Sequence, residues 1–501
     1  MKVLYVTQEY APLFAEGGLG VVSGALPRAL CVDYGISHDI VLPYYPHLVR
    51  RLGLRTQEVA HLHSREVAGI RSDATVHRLL DHDSPCSVYL IRADTWYDRP
   101  GIYCDEAYRP FADHAERAAF FGGCVADWVT GNGQPYDLVH GTEWQSGAAM
   151  AHLRHRYPAL PQLMSVFNAF YQGPLTDTSP DQLGLPSEMA RKLAGDRTGR
   201  SRSLLAALWS ANAAATCSRG YADELLAPTS DPESARRVGY AEGLLMPGGD
   251  DQVAVALRDL KIVGIQQGVD MGLWDPEATG RSTVPFSTDT VDTGKQANKG
   301  ALQRRLGLRD DASVPLLGVC SRLVPEKGTD LLLSAVEPLL AEQRLQLVLV
   351  GPATTELQGE IRRLTLATPG YVAHVPRYDQ DIAWLTFAAS DLTAMPSRTE
   401  PGGLPPLIAY RYGTLPVVTK VGGLRDTVTD VRSDHAGGSG FQIPDRTVDA
   451  VHTTIVEALA WLADGGSRLT ATRRRVMGLQ WSWSDAAKGY ADLYRRLCAE
   501  G

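Results

Sequence analysis

The chain has 501 residues, with 49 Lys and Arg against 57 Asp and Glu for a formal charge of −8; 44% of residues are hydrophobic and 21% charged. That length predicts two to three domains, and the composition is that of a folding chain, far from the low-hydrophobicity signature of disorder. No Lys/Arg-rich run supplies the clustered cations that a nucleic acid or an anionic membrane requires, so no nucleic-acid and no membrane partner is expected. Seven scattered cysteines (Cys31, Cys86, Cys104, Cys124, Cys217, Cys320, Cys498) lack C-x-x-C spacing. They argue against a disulfide framework or a zinc ribbon and for a reducing compartment. The N-terminal apolar run meets Glu9 and Tyr10 too early for a signal-peptide core, and no stretch nears 18 consecutive apolar residues. A cytoplasmic protein is expected.

In chain order, Val3 to Val6 predicts a buried strand, Gly17-Gly18-Leu19-Gly20 a loop, and Val22 to Leu30 a helix. Strands follow at Ile40 to Leu42, Ser87 to Ile91, Asp137 to His140 and Leu163 to Phe167, with a helical run from Gly147 to Leu153. An irregular stretch, Asp275 to Gly294, precedes a second set. There Val314 to Val319, Gln346 to Val350, Tyr371 to Val375, Leu392 to Met395 and Leu415 to Val418 predict strands, and Lys327 to Leu340 and Thr453 to Leu462 predict helices. Strands alternating with helical patterns imply parallel sheets, here two doubly wound Rossmann-like halves with a cleft between their carboxyl edges. The last segment, Trp481 to Leu497, has helical spacing.

Four loops follow predicted strands at that edge. The Glu16 to Gly20 loop either brings backbone N–H groups to a phosphate or is a structural turn. Ser321 to Gly328 carries Arg322 and Lys327, two cations that suit a diphosphate; otherwise they are a salt-bridged Arg and a solvated Lys. Pro396 to Pro405 adds the carboxylate of Glu400, which suits sugar hydroxyls, and Val421 to Leu424 adds another glycine turn. His61 and His63, and Asp81-His82-Asp83, lack a third partner at ligand spacing, so solvated loop positions are expected and no metal. Ser23 has no G-x-S-x-G elbow, which leaves no hydrolase triad.

These motifs, together with Ser165 to Gly173, Gly264 to Asp270, Tyr410 to Pro416, Gly422 to Val428 and the Trp483 to Tyr494 tail, resemble the bacterial glycogen and starch synthase family in order along nearly the whole chain. The resemblance implies an α/β GT-B fold with an acceptor domain over 1–262, a nucleotide-donor domain over 263–480, and a helix over 481–501 that crosses back to the first domain. It implies a retaining glycosyltransferase with no cofactor and no metal. Arg322 and Lys327 would neutralise the leaving diphosphate, with Glu400 and Glu143 completing the catalytic set. Gly17, Gly18, Phe167, Gln267, Gly402, Gly403 and Leu404 would line the donor, and Tyr378 would stack on the nucleobase or lie in the core. Glu143, Trp144, Asn168 and Tyr171 would meet the acceptor.

The chain departs from the family pattern where that pattern touches substrate. The family's Lys before the glycine loop is Ala15 and its Asp after the loop is Val21; the family's H-D-W-H reads Thr142-Glu143-Trp144-Gln145; the His before Asn168 is Phe167; and an Asn is Gln267. The loss of a buried polar contact from a glucose site shifts discrimination by roughly 10²-fold or more. The reading that follows is a transferase of specialised metabolism that moves a modified sugar or a valienol-type cyclitol from a nucleotide donor to a sugar or amino-sugar acceptor, as in acarbose-like aminocyclitol biosynthesis by pseudoglycosyltransferases. The alternatives are a conventional α-1,4-glucan synthase using ADP-glucose or UDP-glucose, and a non-catalytic nucleotide or glycan binding protein.

Overall fold

The computed structural model describes residues 1–105, 109–133, 136–175, 178–195, 201–227 and 252–500; part of the expected first domain, 228–251, lies outside them. The first sheet holds β1 (Lys2–Val6), β2 (Ser37–Pro43), β3 (Thr56–Val67), β4 (Ile70–Leu79), β5 (Ser87–Arg92), β6 (Leu138–Thr142), β7 (Gln162–Ser165), β8 (Ala213–Thr216) and β9 (Val263–Gly264), in the order β3-β4-β5-β2-β1-β6-β7-β8-β9. All pairs are parallel except the β3/β4 and β4/β5 pairs at one edge. The second sheet is wholly parallel: β10 (Leu316–Cys320), β11 (Gln346–Val350), β12 (Val372–Val375), β13 (Leu392–Met395), β14 (Leu415–Thr419) and β15 (Phe441–Ile443), in the order β12-β11-β10-β13-β14-β15. The central strands are buried on both faces, which is why they read as unbroken apolar runs.

Several expected elements shift for identifiable reasons. The first helix begins at Gly18, not Val22: the glycine loop is itself the first helical turn, with Gly17 as its extended cap. The strand expected to reach Phe167 stops at Ser165, because the Phe167 and Asn168 amides leave the ladder for the Glu143 carboxylate. The helix expected from Lys327 starts at Thr329, because Gly328 at φ 68° closes a separate Pro325–Lys327 turn. β3 and β4 escape sequence reading because their polar faces are largely exposed at the sheet edge, and β8 because it is three alanines and a threonine. His61 and His63, expected in a loop, stand on β3, where His61 meets Glu58 at 2.7 Å.

The expected 262/263 boundary falls on β9, whose residues pair with Ala215 and Thr216, so the first sheet runs two residues further, to Gly264. Two chain segments then cross side by side. Val269 N–H donates to the Trp481 carbonyl at 2.7 Å, and a side chain on Gly268 would press into the Ser482 backbone. The final helix, Trp483–Glu500, packs Trp483, Tyr490, Tyr494 and Leu497 into the core of the first sheet with Val3, Val22 and Leu26. Its Tyr494 hydroxyl lies 2.7 Å from His140 Nδ1, while His140 Nε2 lies 2.7 Å from Ser165 Oγ. Burial pushes the His140 pKa down to about 3, so the ring is neutral. Among the described residues no helix is long and apolar enough to cross a membrane.

Candidate active site

The loops after β8, β13 and β14 meet across the two sheets. Ser218 Oγ, just after β8, donates to the Pro401 carbonyl at 2.6 Å, and Gln266 Nε2 donates to the Gly402 carbonyl at 3.2 Å. Gln267 is buried, its side chain against Gly402. Gly403 adopts φ 66° to cap the Leu404–Arg411 helix, so Gly402, Gly403 and Leu404 form a tight backbone turn facing the first domain.

Lys327 and Glu400 are 73 residues apart in sequence, yet Lys327 Nζ donates to both Glu400 oxygens at 2.8 Å. They meet because β10 and β13 are sheet neighbours and each side chain leaves at its strand's carboxyl end. Ser397 Oγ also donates to Glu400 at 3.1 Å. Arg322, one turn earlier, has 54% of its side chain exposed and lies 3.8 Å from Glu326. The two expected diphosphate cations therefore stand on one loop, Lys327 paired with Glu400 and Arg322 beside Glu326 and half exposed.

Across from them, Glu143 follows β6 at φ 55° and ψ 169°, a region held by non-glycine residues at about 1–3 kcal/mol. Its Oε1 accepts Phe167 N–H at 2.8 Å and Asn168 N–H at 3.1 Å, while the buried Oε2 has no hydrogen-bond partner. Burial, which outweighs those two amides, pushes its carboxyl pKa up to about 8. Cys217 links the two sides: its thiol points at the Phe167 carbonyl at 3.6 Å, and it is pushed up to about 12 by burial and by the nearby Glu143 and Glu400 carboxylates.

The remaining expected residues divide. Asn168 and Tyr171 sit on one turn, with Tyr171 N–H donating to the Asn168 carbonyl at 3.1 Å and the Tyr171 ring exposed. Trp144 is buried with its ring flush against Gly173, and Phe167 is buried in the first domain's core. Tyr378 is 58% exposed and its hydroxyl donates to Gln380, so it is not a core residue.

Residues the sequence reading missed complete the first loop. Glu9 Oε2 accepts the Glu16 and Gly17 N–H groups at 2.7 and 2.9 Å, and Tyr103 donates to Glu9 Oε1 at 2.7 Å. Two of the loop amides expected to meet a phosphate, those of Glu16 and Gly17, are thus held by an internal carboxylate, whereas Gly17 and Gly18 themselves border open space. Glu9 was findable as an acid between β1 and the glycine turn; Tyr103, 94 residues away, left no signal. Among the described residues no group of three His, Cys, Asp or Glu side chains stands where it would hold a metal.

Two Rossmann-like parallel sheets with their loops meeting at a shared cleft define a GT-B glycosyltransferase. The starch synthase catalytic domain family matches residues 2–242 and the glycosyl transferases group 1 family matches 314–460. The glycogen synthase of Rhodospirillum rubrum is 33% identical over 99% of this chain and 98% of its own, and that of Anaeromyxobacter sp. is 35% identical over the full length of both. Among solved structures, the catalytic domain of starch synthase IV from Arabidopsis thaliana, bound to ADP and acarbose, superimposes with a TM-score of 0.83 at 24% identity, covering 99% of each chain. The chain belongs to the glycogen and starch synthase family and is a nucleotide-sugar-dependent glycosyltransferase.

Proposed function

We propose that the protein is an α-glucan synthase that transfers glucose, with retention, from a nucleoside diphosphate donor to the end of an α-1,4-glucan acceptor. The observation that carries this reading is the Lys327–Glu400 pair at the β10 and β13 ends, opposite Glu143 and Asn168. Full-length similarity to glycogen synthases supports it and outweighs the modified-donor expectation, which stays as a second reading. That second reading draws on Phe167, whose buried ring offers no hydrogen bond where the resembled family has His, and on Ala15 and Val21.

In the reaction, the anomeric carbon–phosphate oxygen bond breaks as the acceptor hydroxyl attacks from the same face. The leaving diphosphate takes the acceptor's proton. Lys327 and Arg322 hold the charge that develops on the diphosphate, which is where preorganised cations lower a barrier most, so side-chain cations do this work without a metal. Glu400, steadied by Ser397, accepts from donor hydroxyls.

The test is nucleotide release and product mass with ADP-glucose, UDP-glucose and cyclitol or deoxyamino-sugar donors, each with maltooligosaccharide or amino-sugar acceptors. Elongated maltooligosaccharide from a glucose donor is expected, lost by ~10²-fold or more in Lys327→Ala. A condensed product from a modified donor alone establishes the second reading. Silence with every donor leaves a binding protein.

A further inference from the structure

The Arg219–Leu226 helix of the first domain and the Gly422–Thr427 helix of the second exchange hydrogen bonds reciprocally. Gly422 N–H donates to Glu224 Oε1 at 2.6 Å, and Gly220 N–H donates to Asp426 Oδ2 at 2.7 Å. Arg425 adds an ion pair to Asp223 at 2.5 Å. Each helix thus presents a carboxylate to the first turn of the other, and Gly220 lies so close that a Cβ there would overlap the Gly422 carbonyl.

The second-domain helix is also the floor of the donor-side loop. Gly423 N–H donates to the Glu400 carbonyl at 3.0 Å, Cβ atoms at Gly422 and Gly423 would strike the Glu400 and Gly402 carbonyls, and Gly403 packs on Leu424. Ser218, which caps the first-domain helix through Tyr221 N–H, donates to Pro401 in the same loop. The path from Glu224 to Glu400 therefore runs through two adjacent glycines and one carbonyl, at approaches too close for any side chain.

We propose that these two helices form a latch that couples closure of the cleft to the seating of Glu400, with Glu224 and Asp426 as positioning residues. Closing the domains and presenting the Glu400–Lys327 pair are one event, so a donor bound in the open form is not turned over. The proposal rests on the reading that Glu400 and Lys327 serve the donor. Arg322 and Lys327, the cations assigned to the diphosphate, both stand on the second domain. Opening the latch therefore lowers kcat and leaves nucleotide affinity nearly intact, because closure gates the chemistry and not the first encounter.

Gly220→Ala tests this, since alanine favours the helix it sits in and the nearest atoms its methyl group would meet, those of Gly422 and Asp426, belong to the partner helix. Kinetics, ADP and UDP binding by calorimetry, thermal melting and small-angle scattering with nucleotide are measured on the whole protein. The expected result is a kcat lowered by about tenfold or more in Gly220→Ala and Glu224→Ala, nucleotide affinity within about threefold of wild type, and a more open envelope. Glu224→Gln, which keeps an oxygen for Gly422 N–H, restores most of kcat. Unchanged kcat and envelope in both alanine variants overturn the latch, as does a loss of melting temperature with kcat and affinity falling together. Failure of the underlying donor reading shows separately, as Lys327→Ala retaining wild-type turnover.

Discussion

Glu143 occupies a backbone conformation few non-glycine residues adopt, with one oxygen taken by two amides and the other buried without a partner. Burial pushes its pKa up to about 8, so below that pH the protonated form, the one tolerated in a buried site, dominates. The folded chain then keeps a proton that the unfolded chain releases in the ordinary carboxylate range. Between that range and about pH 8 the folded state binds more protons, so stability falls as pH rises and the decline ends above about 8. Glu143→Gln cannot lose a proton. The gap in melting temperature between variant and wild type should therefore widen in the variant's favour from pH 5 to 8, and a gap constant with pH would show Glu143 ionised throughout. The position itself was legible, as the acid after a strand where the resembled family has Asp. Its protonation was not, because desolvation depends on what packs over it: Phe167, Asn168 and Cys217 come from other strands.

The Pro325–Lys327 turn shows how one glycine places a functional group. Gly328 sits at φ 68° with the Pro396 carbonyl where a side chain would begin, which lets the β10 loop lie against the β13 loop and brings Lys327 to Glu400. Gly328→Ala faces both a left-handed backbone, about 1 kcal/mol for alanine, and a clash with backbone that cannot rotate away. The expected outcome is a lower melting temperature together with a turnover loss approaching that of Lys327→Ala. A variant that melts lower yet turns over normally would separate the turn from the chemistry. The sequence reading expected a continuous helix from Lys327 because apolar spacing carries through Gly328; only the close packing of the two loops makes a positive φ necessary there.

The two sheets are tied at the crossing segments, at the latch helices, and by the last helix, which leaves the second domain to complete the core of the first. Tyr494 on that helix reaches His140 on β6, a neutral ring whose other nitrogen is engaged by Ser165. Tyr494→Phe keeps the packing and removes one hydroxyl, leaving a buried ring nitrogen unpaired at about 1–3 kcal/mol. The melting temperature of the first domain should fall accordingly with KM for the donor unchanged; wild-type melting would mean the helix contributes packing alone.

Sequence by itself determined the α/β class, the two sets of buried strands, the loops that carry Arg322, Lys327, Glu400 and Glu143, and the resemblance to glycogen and starch synthases. These were legible because buried parallel strands are continuous apolar runs and because strand-end glycine, cation and carboxylate motifs are local. The tertiary structure alone decided that Lys327 pairs with Glu400, that Glu9 caps the glycine loop, that burial raises the Glu143 pKa, and that Glu224 and Asp426 join the domains. Each depends on side chains that meet only when distant strands become neighbours, and on burial that no window of sequence contains. Asp426 lay within the Gly422 to Val428 motif but with no sign of its partner, and Glu224 gave no warning, since an acid on a short helix reads as a solvated face until a second helix is packed against it.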